Sequence, residues 1–107
     1  MGKATGIIEV YGLTAAFVAL DAGCKAANVT VETLDKNKPA NADKVEVPLV
    51  MVVKFMGNAG AVQSAHDAGV ALAKERGLYI TSEVIAGLDD QVDWFAKLSA
   101  TGRDKLR

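Results

Sequence analysis

Apolar positions along this chain change their spacing several times, and each change marks a new element. Residues Gly6 to Tyr11 are β-branched and aromatic with one polar interruption at Glu9, the pattern of a strand that Gly12 ends. From Leu13 to Ala27 the spacing becomes helical, with Leu13, Phe17, Leu20 and Cys24 recurring at intervals of four, three and four. These residues predict one apolar stripe, flanked by alanines small enough for close packing. Asn28 ends the helix. Val29 to Leu34 then alternate as a second strand, with Val29, Val31 and Thr33 set against Thr30, Glu32 and Leu34.

Asp35 to Asp43 is the one stretch of polar, turn-forming composition. Lys44 to Val47 extends a strand, Pro48 interrupts the ladder, and Leu49 to Phe55 is a dense apolar strand. A proline there belongs at a strand start, an edge or a bulge. Gly57-Asn58-Ala59-Gly60 predicts a tight strand-to-helix turn that uses permissive backbone. The helix that follows places Ala61, Ala65, Ala68 and Leu72 on one face, and Gly77 closes it. Leu78 to Ile85 is a fourth strand. Asp89 and Asp90 then favour the start of a short helix carrying Val92, Phe95 and Leu98. The order predicts an α+β fold: a ferredoxin-like βαββαβ antiparallel sheet with helices on one face, plus a short C-terminal helix. At 107 residues the chain is read as a single domain, 1–107, with a core over about 6–86 and a C-terminal helix and tail over 87–107.

Composition narrows the partners. Half the residues are apolar, so a core forms without disulfides or metals. A domain this small buries only about 60–70% of its unfolded surface, which makes association a source of extra stability. The net charge is −1 with both signs interspersed, which argues against nucleic acid as a partner; the basic tail residues Arg103, Lys105 and Arg107 read as solvated. Cys24 is the sole cysteine, so no intramolecular disulfide forms, in keeping with a reducing cytoplasm. It is expected to be a buried, inert thiol. There is no signal-peptide core and no apolar run of ~20 residues, so no lipid membrane is expected as a partner.

Candidate chemistry is sparse. One histidine and one cysteine do not supply a zinc site or a hydrolytic triad, and neither a metal nor a cofactor is expected. His66, at the edge of the stripe Val62, Gly69 and Ala73, reads as a packed or interface imidazole before it reads as a base. Glu9, Asp21, Glu32, Asp35 and Glu46 read as solvated or ion-paired surface. The Gly57–Gly60 segment lacks both the three-glycine dinucleotide fingerprint and the Lys-Ser/Thr ending of a phosphate loop. Of the adjacent Trp94 and Phe95, one is expected to anchor the last helix and the other to be exposed for association. No catalytic site assembles, and the chain is not expected to be an enzyme.

Three segments, read together, resemble the bacterial microcompartment (BMC) shell domain family. They are Ile8-Glu9-Val10-Tyr11-Gly12-Leu13-Thr14-Ala15-Ala16, then Asp21-Ala22-Gly23-Cys24-Lys25-Ala26-Ala27-Asn28-Val29, then Gly57-Asn58-Ala59-Gly60-Ala61-Val62 continuing to Gly69. The resemblance runs from about Gly6 to Ile85 in the unpermuted order. It implies a cyclic homo-hexamer in the bacterial cytoplasm, tiling with other shell proteins around encapsulated enzymes and passing small metabolites through a central pore. It also implies that Lys25 and Asn28 are hexamer-edge assembly residues. The chain departs from the family in two places. The middle loop, about Asp35 to Pro48, is long and has no glycine, unlike the short glycine-rich pore turn. Lys36, Asn37, Lys38, Asn41 and Lys44 are pore-region candidates by their place in this loop alone. Facing the axis, they would concentrate lysine charge and favour anions; a loop that covers or displaces the pore is the equal alternative. Ala86-Gly87-Leu88-Asp89 also lacks the arginine of the family's Pro-Arg-Pro-His segment, as expected of a minor, vertex-adjacent or bent component. Two other readings stay open: a specialised member whose loop or Cys24 binds a ligand, metal or cargo, and a ferredoxin-like small-molecule-binding protein.

Overall fold

The computed structural model describes residues 3–37 and 49–97, with the side chains of Asn37 and Phe95 also outside the description. In chain order these residues form β1 (Ala4–Tyr11), α1 (Leu13–Ala26), β2 (Thr30–Asn37), β3 (Val50–Gly57), α2 (Ala59–Glu75), β4 (Tyr79–Ile85) and α3 (Asp90–Ala96). The strands make one four-stranded sheet in the order β2-β3-β1-β4, and every neighbouring pair is antiparallel. The α+β ferredoxin-like arrangement predicted from the spacing is the one that forms. The strand expected over Lys44–Val47 lies outside the described residues.

The two most apolar strands take the centre. β1 and β3 pair along their whole length, from Ala4 opposite Gly57 to Tyr11 opposite Val50. Ile8, Val10, Val53 and Phe55 are fully buried between this pair and the helices. Both long helices pack on one sheet face, and they come close because the contact is made of small residues. A Cβ added to Gly23 would stand 2.6 Å from Phe55 Cζ. One added to Gly69 would stand 2.9 Å from Ile8 Cδ1 and 3.1 Å from the Ala19 carbonyl oxygen. Both are shorter than packed side chains tolerate, so glycine is required at each.

That close approach corrects the stripes expected for the helices. On α1 the buried residues are Ala15, Ala16, Ala19, Leu20 and Gly23. Leu13, Phe17 and Cys24 are exposed, and of the predicted stripe only Leu20 turns inward. Cys24 is therefore not the buried thiol the pattern implied. On α2 the buried residues are Val62, Ala65, Gly69 and Ala73, so Ala65 alone is shared with the predicted face. Periodicity locates an apolar stripe, but backbone distance selects which stripe faces inward. Here the smallest residues win because they allow the two backbones to meet.

Two bulges reorient the edge strands. In β2 the register shifts between Val31, opposite Phe55, and Thr33, opposite Lys54. Val31 is exposed and Thr33 buried, against the alternation that placed them on one face. In β4 a shift opposite Glu9/Val10 leaves Tyr79 opposite Val10 and Ser82 opposite Ile8. That puts both residues on the face that carries the helices.

The turns differ in what holds them. Gly77 has a positive φ of 71° and closes α2, donating its N–H to the Lys74 carbonyl. The Gly57–Gly60 turn uses no positive φ. It is fixed by the Asn58 side chain, whose Oδ1 accepts from the Ala61 N–H at 2.8 Å. A capped helix start, not glycine permissiveness, is the reason for that segment. α3 lies across the opposite sheet face. Lys54, which alternates with the helix-facing Val53 and Phe55, donates from Nζ to the Ala96 carbonyl at 3.1 Å.

Candidate assembly surface

A closed fold leaves apolar surface exposed only where it has no cover of its own. Leu13 and Phe17, one turn apart on α1, are 44% and 56% exposed. They form an apolar ridge on the outside of a helix whose inner side is already packed. An outward pair of large side chains on so small a domain has the character of a contact surface. Cys24 and Lys25 continue the outer side of the same helix toward its C-terminus.

Lys25 is held by a carboxylate one turn back: its Nζ lies 2.7 Å from Asp21 Oδ2, with both side chains largely in solvent. The hydrogen bond and charge of Asp21 keep the ammonium protonated above its ordinary range. Its place in the last turn also suits the negative helix end. Asn28 is exposed just beyond this helix, and its carbonyl stands against Gly57, the last residue of β3. Lys25 and Asn28 thus share one end of the domain. Lys36 and Asn37, expected in the loop, are instead the last two residues of β2, which runs three residues past Leu34: Lys36 is exposed there, and Asn37 pairs with Val50. The two candidate groups are therefore separated by β2, roughly 23 Å of strand. Lys38, Asn41 and Lys44 lie outside the described residues.

The opposite sheet face carries a semi-buried ion pair. Lys54 Nζ lies 2.7 Å from Asp35 Oδ2, with the side chains 15% and 14% exposed. Thr33 Oγ1 donates weakly to the same carboxylate oxygen at 3.4 Å. Asp35, read from sequence as solvated or ion-paired surface, is the ion-paired case, and its partner is Lys54 of β3. Its signal was available: a lysine at one position of an otherwise apolar strand needs a partner or an exit. Trp94 on α3 is 61% exposed and takes the outward place expected for one of the two adjacent aromatics.

His66 is packed, as expected of it, but in polar company. Its Nε2 is 2.8 Å from Ser82 Oγ and its Nδ1 is 2.9 Å from Asp67 Oδ1. Tyr79 OH is 2.8 Å from the same Ser82 Oγ, and Gln63 Nε2 donates to Asp67 at 2.9 Å. Sequence spacing missed this network because the β4 bulge brings Tyr79 and Ser82 onto one face. Among the described residues no cluster of three or more histidine, cysteine or acidic side chains is arranged to hold a metal ion. Among them, too, no helix is long and apolar enough to cross a membrane.

Comparison with known proteins identifies the family. The BMC domain family matches residues 4–88. The bacterial microcompartment shell protein EutK of Escherichia coli K12 is 37% identical over 97 residues, covering 88% of this chain and 51% of EutK. The shell protein PduA of Citrobacter freundii is 40% identical over 75 residues, covering 70% of this chain and 71% of PduA. Among solved structures, a microcompartment protein of Desulfitobacterium hafniense DCB superposes with a TM-score of 0.72 at 28% identity, covering 88% of this chain and 48% of that one. The chain thus spans about half the length of EutK and of the Desulfitobacterium protein.

Proposed function

The chain belongs to the BMC domain family, and from that premise we propose that it is a structural shell subunit of a bacterial microcompartment, working in the bacterial cytoplasm without catalytic turnover of its own. The observation that carries this reading is the apolar ridge of Leu13 and Phe17, exposed on a domain whose core is otherwise complete. A cyclic homo-hexamer would cover such a ridge. Size-exclusion chromatography with light scattering tests it: a ring of six is expected, and a stable monomer would end this reading.

Within the ring, Lys25 and Asn28 are assigned to the rim, where they join neighbouring tiles and other shell proteins that together enclose the encapsulated enzymes. Lys36, Asn37, Lys38, Asn41 and Lys44 are assigned to the pore region, where repeated lysines would favour passage of small anionic metabolites. The separation of Lys25 and Asn28 from Lys36 along β2 supports a rim and a centre at opposite ends of one subunit. Replacing Lys25 by alanine is expected to weaken extended sheets while single rings persist. Electron microscopy of assembled material distinguishes the outcomes, and unaltered sheets would remove Lys25 from the rim.

A further inference from the structure

We propose that Ser82 is a reactive serine, an acceptor for acyl groups from small activated esters, with His66 as its general base and Asp67 as the residue that positions the imidazole. The inference is independent of the shell assignment and rests on the direction of donation in one hydrogen-bond chain. An ionised Asp67 carboxylate only accepts, so the proton of the neutral ring belongs on Nδ1, 2.9 Å away. Nε2 then presents its lone pair to Ser82 Oγ at 2.8 Å, and the serine hydroxyl is the donor. Ser82 Oγ in turn accepts from the Tyr79 hydroxyl at 2.8 Å. This tautomer follows from the network as a whole.

That polarity is what nucleophile activation needs. The nucleophile–base and base–orienter distances both fall within hydrogen-bond reach, and such constellations are recognised by geometry and role, not by order in the chain. Gln63 holds the other side of the relay by donating to the same Asp67 oxygen at 2.9 Å. These bonds from His66 and Gln63 keep the Asp67 carboxyl below its ordinary range, as a permanent acceptor. The imidazole is largely withdrawn from water, at 15% exposure, while Ser82 is half-buried on β4, an edge strand. A small electrophile can approach along that edge.

The step balances within the chain and one co-reactant, an aryl ester. Ser82 Oγ adds to the carbonyl carbon as its proton passes to His66 Nε2. The tetrahedral adduct collapses, breaking the bond to the aryloxy oxygen, and the leaving aryloxide takes the proton from the imidazolium. The products are the Ser82 ester, a phenol and neutral His66. The Tyr79 hydroxyl, donating to Ser82 Oγ, holds the nucleophile in place, and the Lys74 ammonium sits 5.0 Å from the Tyr79 ring centroid. Asp67 is 64% exposed, so its positioning effect is expected to fall well short of that of a buried aspartate. The chemistry assigned is one acylation per chain.

The test is covalent labelling of the full chain with a fluorophosphonate, the same displacement at phosphorus with fluoride leaving, and separately with 4-nitrophenyl acetate. Intact mass and peptide mapping are expected to show a single adduct, on Ser82, and none in Ser82→Ala. His66→Ala is expected to label about 100-fold more slowly, with the rate restored by added imidazole. Asp67→Asn, a change at an exposed position, is expected to label about tenfold more slowly while the chain stays folded with only a slightly lower melting temperature, because the amide no longer enforces the tautomer. Those two variants separate positioning from mere structural support. An adduct elsewhere, no adduct on the unaltered chain, or equal rates in the unaltered chain and Asp67→Asn would overturn the assignment.

Discussion

The two long helices lie side by side on the same sheet face and bury the same kind of residue, yet their outer faces are opposites. α2 turns Gln63, Ser64, Asp67 and Lys74 to solvent, the ordinary covering for a helix whose other side is packed. α1 turns out Leu13, Phe17 and Cys24 beside Asp21 and Lys25. Both inner faces are made of alanine and glycine, which lets the helices approach closely and frees the larger apolar residues from the core. On α2 that freedom is used for polar surface. On α1 it leaves an apolar ridge, which water does not reward. The difference is why the proposed association is placed on α1 and not on α2.

The shared inner contact gives the largest expected effect. Gly23→Val would drive side-chain atoms into Phe55 and toward the Ala65 carbonyl, so a loss of about 3 kcal/mol is expected in urea denaturation. A loss under about 0.5 kcal/mol would mean the helices can separate, and the contrast between their faces would lose its cause. Next is the outer face of α1. Phe17→Glu is expected to abolish association in light scattering while the chain's own stability shifts by less than about 0.5 kcal/mol. Ser64→Glu, the matched change on the outside of α2, should leave association as it was.

Smaller effects sharpen the contrast at the helix starts. α2 begins with a side-chain cap from Asn58, whereas Gly12 gives α1 none. Asn58→Ala should therefore cost about 1 kcal/mol in thermal unfolding, an effect with no counterpart on α1. The smallest concerns Asp67, whose carboxyl is held below its ordinary value of 3.8 by His66 and then Gln63. A lowered folded pKa gives stability that is present above the ordinary value and lost as pH falls through the folded one. Urea midpoints measured from about pH 5 down to about pH 2 should fall less steeply in Asp67→Asn than in the unaltered chain. Equal slopes would show that the exposed bonds of α2 contribute nothing to folding.

Much of this was legible along the chain. The change from alternating to helical spacing at Gly12, the polar stretch after Leu34 and the closing role of Gly77 placed every described element to within a few residues. Lys25 and Asn28 were legible as candidates only through the family motifs around them. By their own chemistry they are an exposed lysine and a helix-end asparagine. The facing of α1 was not legible, because a regular stripe of Leu13, Phe17, Leu20 and Cys24 has the spacing of a core stripe. Nor were the Lys54–Asp35 pair and the His66–Ser82 contact, each of which joins residues far apart in the chain.

By itself, then, the sequence determined the order and kind of the elements, since strand and helix periods are local properties of side-chain spacing. The tertiary structure alone decided which side of α1 faces the core and which faces outward. That choice depends on how closely two backbones can approach, set by Gly23 against Phe55 and Gly69 against Ala19 and Ile8. It also decided which face each edge-strand residue occupies, because a single extra residue in the β2 or β4 ladder inverts the alternation beyond it. Distances between segments remote in sequence are not written in any local pattern, and the assembly ridge and the Ser82 network both depend on them.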